Sequence, residues 1–166
     1  MEKYCKQDQK LLAIWAADCA ERVLPFFEKA CQKDDRPSKA IKACRTWART
    51  GVFKMADIRG ASLSAHAAAR EANEGSAARF AARAAGQAVA TAHVPQHAFG
   101  AAYYALKAVA AADPADAEAK IAKELDWQSR HLPKKIRKGW QDWQSQRLPK
   151  NLKPRCKPAN LRATLG

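Results

Sequence analysis

Apolar residues recur along this chain with the 3.6-residue period of an α-helix. Leu12, Trp15, Ala16, Cys19 and Val23 fall at i, i+3, i+4, i+7 and i+11, which places them on one helical stripe. Asp8 is placed to cap that helix, and Asp18 and Arg22, four apart, can pair on one of its faces. Pro25 either kinks the helix or opens a new one through Phe26, Phe27 and Ala30. Asp34-Asp35-Arg36-Pro37 then interrupts the pattern. Asp35 can cap a second helix, with Pro37 in the first turn, where a missing N–H costs nothing. Ala40, Ile41, Cys44, Trp47 and Ala48 form its apolar face, Lys39, Lys42, Arg45 and Arg49 point elsewhere, and Gly51 suits the C-terminal stop.

A third helix is predicted from about Met55 to Asn73, with Ile58, Ala61, Ala65, Ala68 and Ala72 inward and Gly75 ending it. Ser76 caps the fourth. There Ala78, Ala82, Gly86 and Ala90 are small and four apart, a ridge that lets a neighbouring backbone approach and predicts a central, buried helix. Pro95 breaks it. Phe99, Ala102, Tyr103, Leu106 and Val109 continue in a fifth helix that ends by Asp113-Pro114, and another runs from about Ala115 to Arg130 around Ile121, Leu125 and Trp127. Six or seven helices with short connections imply an all-α, compact, mostly antiparallel bundle. Composition strengthens this: the 166 residues include 38 Ala, the best helix former, and few Val, Ile or Thr.

Charge divides the chain. Residues 1–127 carry 19 Lys and Arg against 15 Asp and Glu, whereas residues 128–166 carry 11 against the single acid Asp142. Half of the eight prolines lie in that last stretch, so the composition changes near residue 132. It also holds the one internal repeat: DWQSRHLPK at 126–134 and DWQSQRLPK at 142–150. Between the copies Ile136, Trp140 and Trp143 fall at i, i+4 and i+7, surrounded by Lys134, Lys135, Arg137 and Lys138. Such a helix can bind an anionic partner, nucleic acid or a membrane surface. The simpler alternative, which we prefer, docks the apolar stripe on the bundle and leaves the charges solvated. Residues 149–166, with three prolines and little to bury, are expected to pack loosely.

Candidate chemistry is sparse. His93 and His97 are four apart, as zinc ligands on a helix can be, and His66 could join them, but Pro95 lies between the pair and no metal-ligand motif accompanies them. Buried, hydrogen-bonded histidines between helices are the better reading. The Asp18/Arg22 and Asp34-Asp35-Arg36 groups read as an ion pair and a cap. No glycine-rich phosphate loop and no nucleophile signature is present, so no catalytic, cofactor-binding or metal-binding residue is assigned. The five cysteines, Cys5, Cys19, Cys31, Cys44 and Cys156, are odd in number and without a C-x-x-C, which suits a reducing compartment. The polar start MEKYCKQDQK offers no secretion signal, and no apolar run approaches the ~20 residues of a membrane span. A cytoplasmic protein is expected.

The ordered set LLAIWAADCAERVLPFFEKA, DDRPSKAIKACRTWA, LSAHAAAREA, AARAAGQAVATAHVPQHAFGAAYYALKA and KELDWQSRHLP resembles the bacterial putative immunity protein family (Imm-five-like) over roughly residues 8–138. The resemblance implies a helical domain over 1–138, followed by a basic, partly irregular extension over 139–166 that looks like an addition. It also implies an antitoxin that binds a cognate protein toxin and needs no catalysis of its own. Trp15 and Trp47 are expected in the core. The family-like polar residues Asp18, Arg22, Asp35, Arg36, His66, Arg83, His93 and His97 either line a shared groove or form a buried network fixing helix packing, and we favour the network. Two rival functions are nucleic-acid binding through the extension and an enzyme built on the three histidines.

Overall fold

The computed structural model describes residues 4–153. Cys156 and most of segment 149–166 lie outside them. Seven α-helices follow one another: α1 (Lys6–Ala30), α2 (Arg36–Thr50), α3 (Met55–Glu71), α4 (Ala77–Ala90), α5 (His97–Ala112), α6 (Ala117–His131) and α7 (Lys134–Arg147). Single 3-10 turns stand at Pro114–Asp116 and Lys150–Leu152. Among the described residues there is no strand, and the all-α bundle read from the periodicity is the fold the chain adopts. No helix among them is long and apolar enough to cross a membrane.

Helix α4 is the axis of the bundle, packed by α5, α1, α3 and α2. Its small residues explain this position. Ala78, Ala81, Ala82, Ala84, Ala85, Gly86, Ala88 and Val89 are all buried, so the backbones of the surrounding helices can close in on several sides. The large side chains lie where α1 meets the later helices. Trp15, Trp47, Trp140 and Phe27 are the bulkiest fully buried groups. Trp15 meets Trp140 edge-on with ring centroids 5.5 Å apart, Phe99 stacks on Trp140 at 5.7 Å, and Trp143 closes the cluster. The Trp15 indole N–H donates to the Gln128 carbonyl at 2.9 Å, which ties α1 to α6.

Thus the Ile136–Trp140–Trp143 stripe is packed on the bundle. Ile136 and Trp140 are buried and Trp143 half-buried, while Lys134, Lys135 and Lys138 stay exposed. Helix α7 runs without a break through residue 138.

The repeated segment builds the same corner twice. In each copy the leucine N–H closes the preceding helix, Leu132 to the Gln128 carbonyl and Leu148 to the Gln144 carbonyl, both at 3.2 Å. The following proline opens the next turn, with Ile136 N–H donating to the Pro133 carbonyl and Leu152 N–H to the Pro149 carbonyl, both at 2.9 Å. Leu132, Ile136, Leu148 and Leu152 are buried, so each Leu-Pro-Lys-x-Ile/Leu run stops one helix and anchors the start of the next.

Three local expectations are corrected. Helix α1 starts two residues before Asp8; Asp8 sits in its first turn and accepts the Cys5 N–H at 3.3 Å. Of the two alternatives at Pro25, the opening of a new helix is ruled out, because α1 continues through it to Ala30. Pro25 and Glu21, whose carbonyl it leaves unbonded, are both exposed, where water can take the bond. Asp35 precedes α2 but makes no capping bond; its neighbour Asp34 accepts the Arg36 N–H at 3.1 Å. The glycine stop is as expected: Gly51 is left-handed at φ 72°, and its N–H donates to the Trp47 carbonyl at 2.7 Å.

Candidate functional site

The eight family-like polar residues do not form one network. They separate into helix-locking ion pairs and one cavity. Asp18 and Arg22, predicted to pair with each other, point to different neighbours. Asp18 accepts from Arg45 of α2 at 2.8 Å, and Arg45 also reaches Glu21. Arg22 holds Glu124 of α6 at 2.8 Å, with its guanidinium carbon 4.0 Å from the centroid of Trp127. A spacing of four residues within one helix allows a pair, but these charges meet stronger partners across the helix interfaces. Arg36 bridges Asp34 and Glu71, fastening the α1–α2 connection to the end of α3, and the Arg36 guanidinium holds both carboxylates below their ordinary range. The Asp35 carboxylate makes an exposed pair with Lys39, one turn along the chain.

His66, His93 and His97 do come together. His66 is on α3, Gln87 on α4, His93 in the turn after α4 and His97 at the start of α5; they line a cavity of about 360 Å³ whose walls include Met55, Ile58 and Leu63. Two glycines make room for it. A Cβ on Gly86 would lie 2.7 Å from the His66 ring, and one on Gly100 would lie 2.8 Å from Gln87 Oε1. The small ridge of α4 therefore admits not only a backbone but an imidazole laid against it, and Ser62 fixes α3 there by donating to the Gly86 carbonyl at 3.0 Å. His97 Nδ1 is 2.7 Å from Gln87 Oε1. With the carbonyl oxygen accepting, that bond selects the Nδ1–H tautomer. The Gln87–His97 pair also borders a second, larger cleft against α7, walled by Phe99, Trp143 and Tyr4. Sequence reasoning found the histidines but missed Gln87 and Gly100. The available signal was a lone glutamine in an otherwise alanine-rich helix.

Burial sets the electrostatics of the cavity. His66 is pushed down to about 4, first by burial and then by the positive charge of Arg83, Arg70 and His97; its Nδ1 is buried and without a hydrogen-bond partner among the described residues. His97 is lowered as well, by burial and by His93. Arg83, half-buried on α4, thus acts on the cavity through its charge. Among the described residues no three His, Cys, Asp or Glu side chains are grouped to hold a metal ion. The buried thiols are raised: Cys44 to about 12 and Cys19 well above its ordinary value, both chiefly by burial. Cys44 donates its proton to the Ala88 carbonyl at 3.1 Å.

A prediction follows for His66. Its folded value lies below the ordinary ~6.5, so the unfolded chain takes up the proton more readily. The stability contributed by neutral His66 is present above pH ~6.5 and is lost as pH falls towards 4. Half-burial reduces the contribution to about 1–2 kcal/mol. Between pH 7 and 4.5, the wild-type chain is expected to lose that much more stability than His66→Gln in urea denaturation. Equal losses would assign the pH dependence elsewhere.

The cations flanking the α7 stripe are mostly occupied locally. Lys135 pairs with Asp8, Lys138 with Asp142 at 2.9 Å, and Arg137 donates to the Leu132 carbonyl at 3.1 Å. Lys134 is exposed.

Fold and site together define an all-α bundle whose charged groups lock helix to helix around one histidine-lined cavity. The sequence model of the family described as Imm-5 like putative immunity protein matches residues 2–135, and the chain belongs to that family. Neither among curated proteins nor among solved structures does this chain find a match.

Proposed function

We propose that this protein is the immunity partner of a bacterial toxin, binding it in a stoichiometric complex in the cytoplasm and blocking it without catalysis. The family match over residues 2–135 carries this reading. The packing supports it. An inhibitor that recognises by shape gains from a surface already in place, because little ordering cost is then charged against binding. Here Arg45, Arg22 and Arg36 tie α1 to α2, α1 to α6 and the α1–α2 connection to α3, so the relative positions of the helices are held by ion pairs as well as by the apolar core. A net charge of +14 suits a neutral or acidic toxin surface better than a basic one.

Nucleic-acid binding through the basic C-terminal residues is the second reading. The local pairing of Lys135, Lys138 and Arg137 weakens it, since phosphate contacts would have to compete with bonds already made. Co-expression in bacteria with a toxin encoded beside this gene tests the main reading. Growth is expected to be restored by this chain and not by an unrelated helical bundle. Continued killing, with both proteins present and folded, would refute it.

A further inference from the structure

Large hydrophobic side chains exposed to solvent are few among the described residues, and they are not scattered. Ile14 lies on α1, but Val52, Phe53, Met55 and Leu63 all belong to the α2–α3 connection and the first half of α3. Val52 is 63% and Leu63 55% exposed, values that nothing in the bundle requires. Met55 and Leu63 also line the histidine cavity, so the exposed apolar side chains of α3 reach its mouth. Contiguous exposed apolar surface beside a cavity marks a place where another molecule docks.

The surroundings state what kind of molecule. Lys54 stands between Phe53 and Met55 in the chain and Arg59 lines the cavity, both exposed, while the Lys6 ammonium lies 5.8 Å from the Phe53 ring centroid. Over residues 51–63 the one acid is Asp57. The patch is therefore apolar at its centre and cationic at its rim. A nucleic acid would lay phosphates across four apolar side chains, and a bilayer would strip water from the imidazoles and Asp57. A protein loop can offer an apolar side chain to the centre and carboxylates to the rim.

Resting on the immunity reading, we infer that the toxin docks on the α2–α3 corner: a toxin loop places an apolar side chain against Met55 and Leu63, at the mouth of the histidine cavity, and flanking carboxylates pair with Lys54 and Arg59. Apolar contact supplies the affinity and the cationic rim steers the approach.

The test uses the full chain and the toxin encoded beside its gene, made catalytically inactive, with binding measured by calorimetry. Leu63→Glu and Arg59→Glu alter exposed side chains, so both variants are expected to keep the wild-type melting temperature. Leu63→Glu is expected to weaken binding ~100-fold or more, and Arg59→Glu ~10-fold with a flatter salt dependence of the affinity. Lys120→Glu, the same charge change as Arg59→Glu at an exposed position of α6, is expected to stay within about twofold. If wild type binds and both corner variants bind as tightly, the docking site is wrong and the immunity reading survives. If wild type forms no complex, both fall. Salt-sensitive binding of an RNA oligonucleotide abolished by Leu63→Glu would also overturn the assignment, because the corner would then be a nucleic-acid surface.

Discussion

Trp140→Ala is expected to lower the stability of the whole bundle by about 3–5 kcal/mol, with the urea midpoint falling and the slope of the transition unchanged. Trp140 lies five residues beyond the stretch the family model matches, in a segment whose charge reads as an appendage. Yet it is fully buried, with Trp15, Phe99 and Trp143 against it at 5.5, 5.7 and 5.3 Å. Removing the indole leaves a cavity between α1, α5 and α7 that those rings cannot collapse to fill without losing their contacts with one another. The indole N–H makes no hydrogen bond among the described residues, so Trp140→Phe retains the stacking at the expense of few atoms and is expected to cost only about 1–2 kcal/mol. A midpoint unmoved by Trp140→Ala would mean that α7 is not part of the cooperative unit.

Arg22→Leu is expected to cost about 3 kcal/mol, a large effect for an exposed arginine. The reason is its partner. The Glu124 side chain is only 4% exposed, and Arg22 holds it through both Nε and Nη2. Without the guanidinium the carboxylate keeps one donor, the Gln128 amide at 3.2 Å, in a setting where water cannot reach it freely. The loss should then come from the stranded charge rather than from the missing attraction. Replacing both residues by leucine is accordingly expected to recover most of the stability, and a double-mutant cycle would read the coupling directly. If the double variant were as unstable as Arg22→Leu alone, the packing of Arg22 on Trp127 would be the larger contribution.

These two cases also show what the sequence does and does not disclose. Helix positions follow from a local period, so the stripe through Leu12, Trp15 and Cys19, the small ridge of α4 and the Gly51 stop are all legible. Side-chain partners across helices depend on how far each helix is rotated and shifted against its neighbour. Arg22 finds Glu124, 102 positions away, and Asp18 finds Arg45 instead of the arginine one turn along. The histidine cavity was half legible. Three scattered histidines in alanine-rich helices invited attention, but Gln87 and Gly100 become meaningful only once α4 and α5 lie side by side. The exposed corner left no signal at all, since Val52, Phe53, Met55 and Leu63 are ordinary core types and only burial distinguishes them.

Titrating the purified chain into the catalytically inactive toxin encoded beside its gene, in a calorimeter, tests the central claim most directly. A saturable complex with one copy of each protein, and no change in either chain's covalent mass, is the expected result. No binding at concentrations well above those in the cell, or saturation at a small fraction of one equivalent, would contradict it.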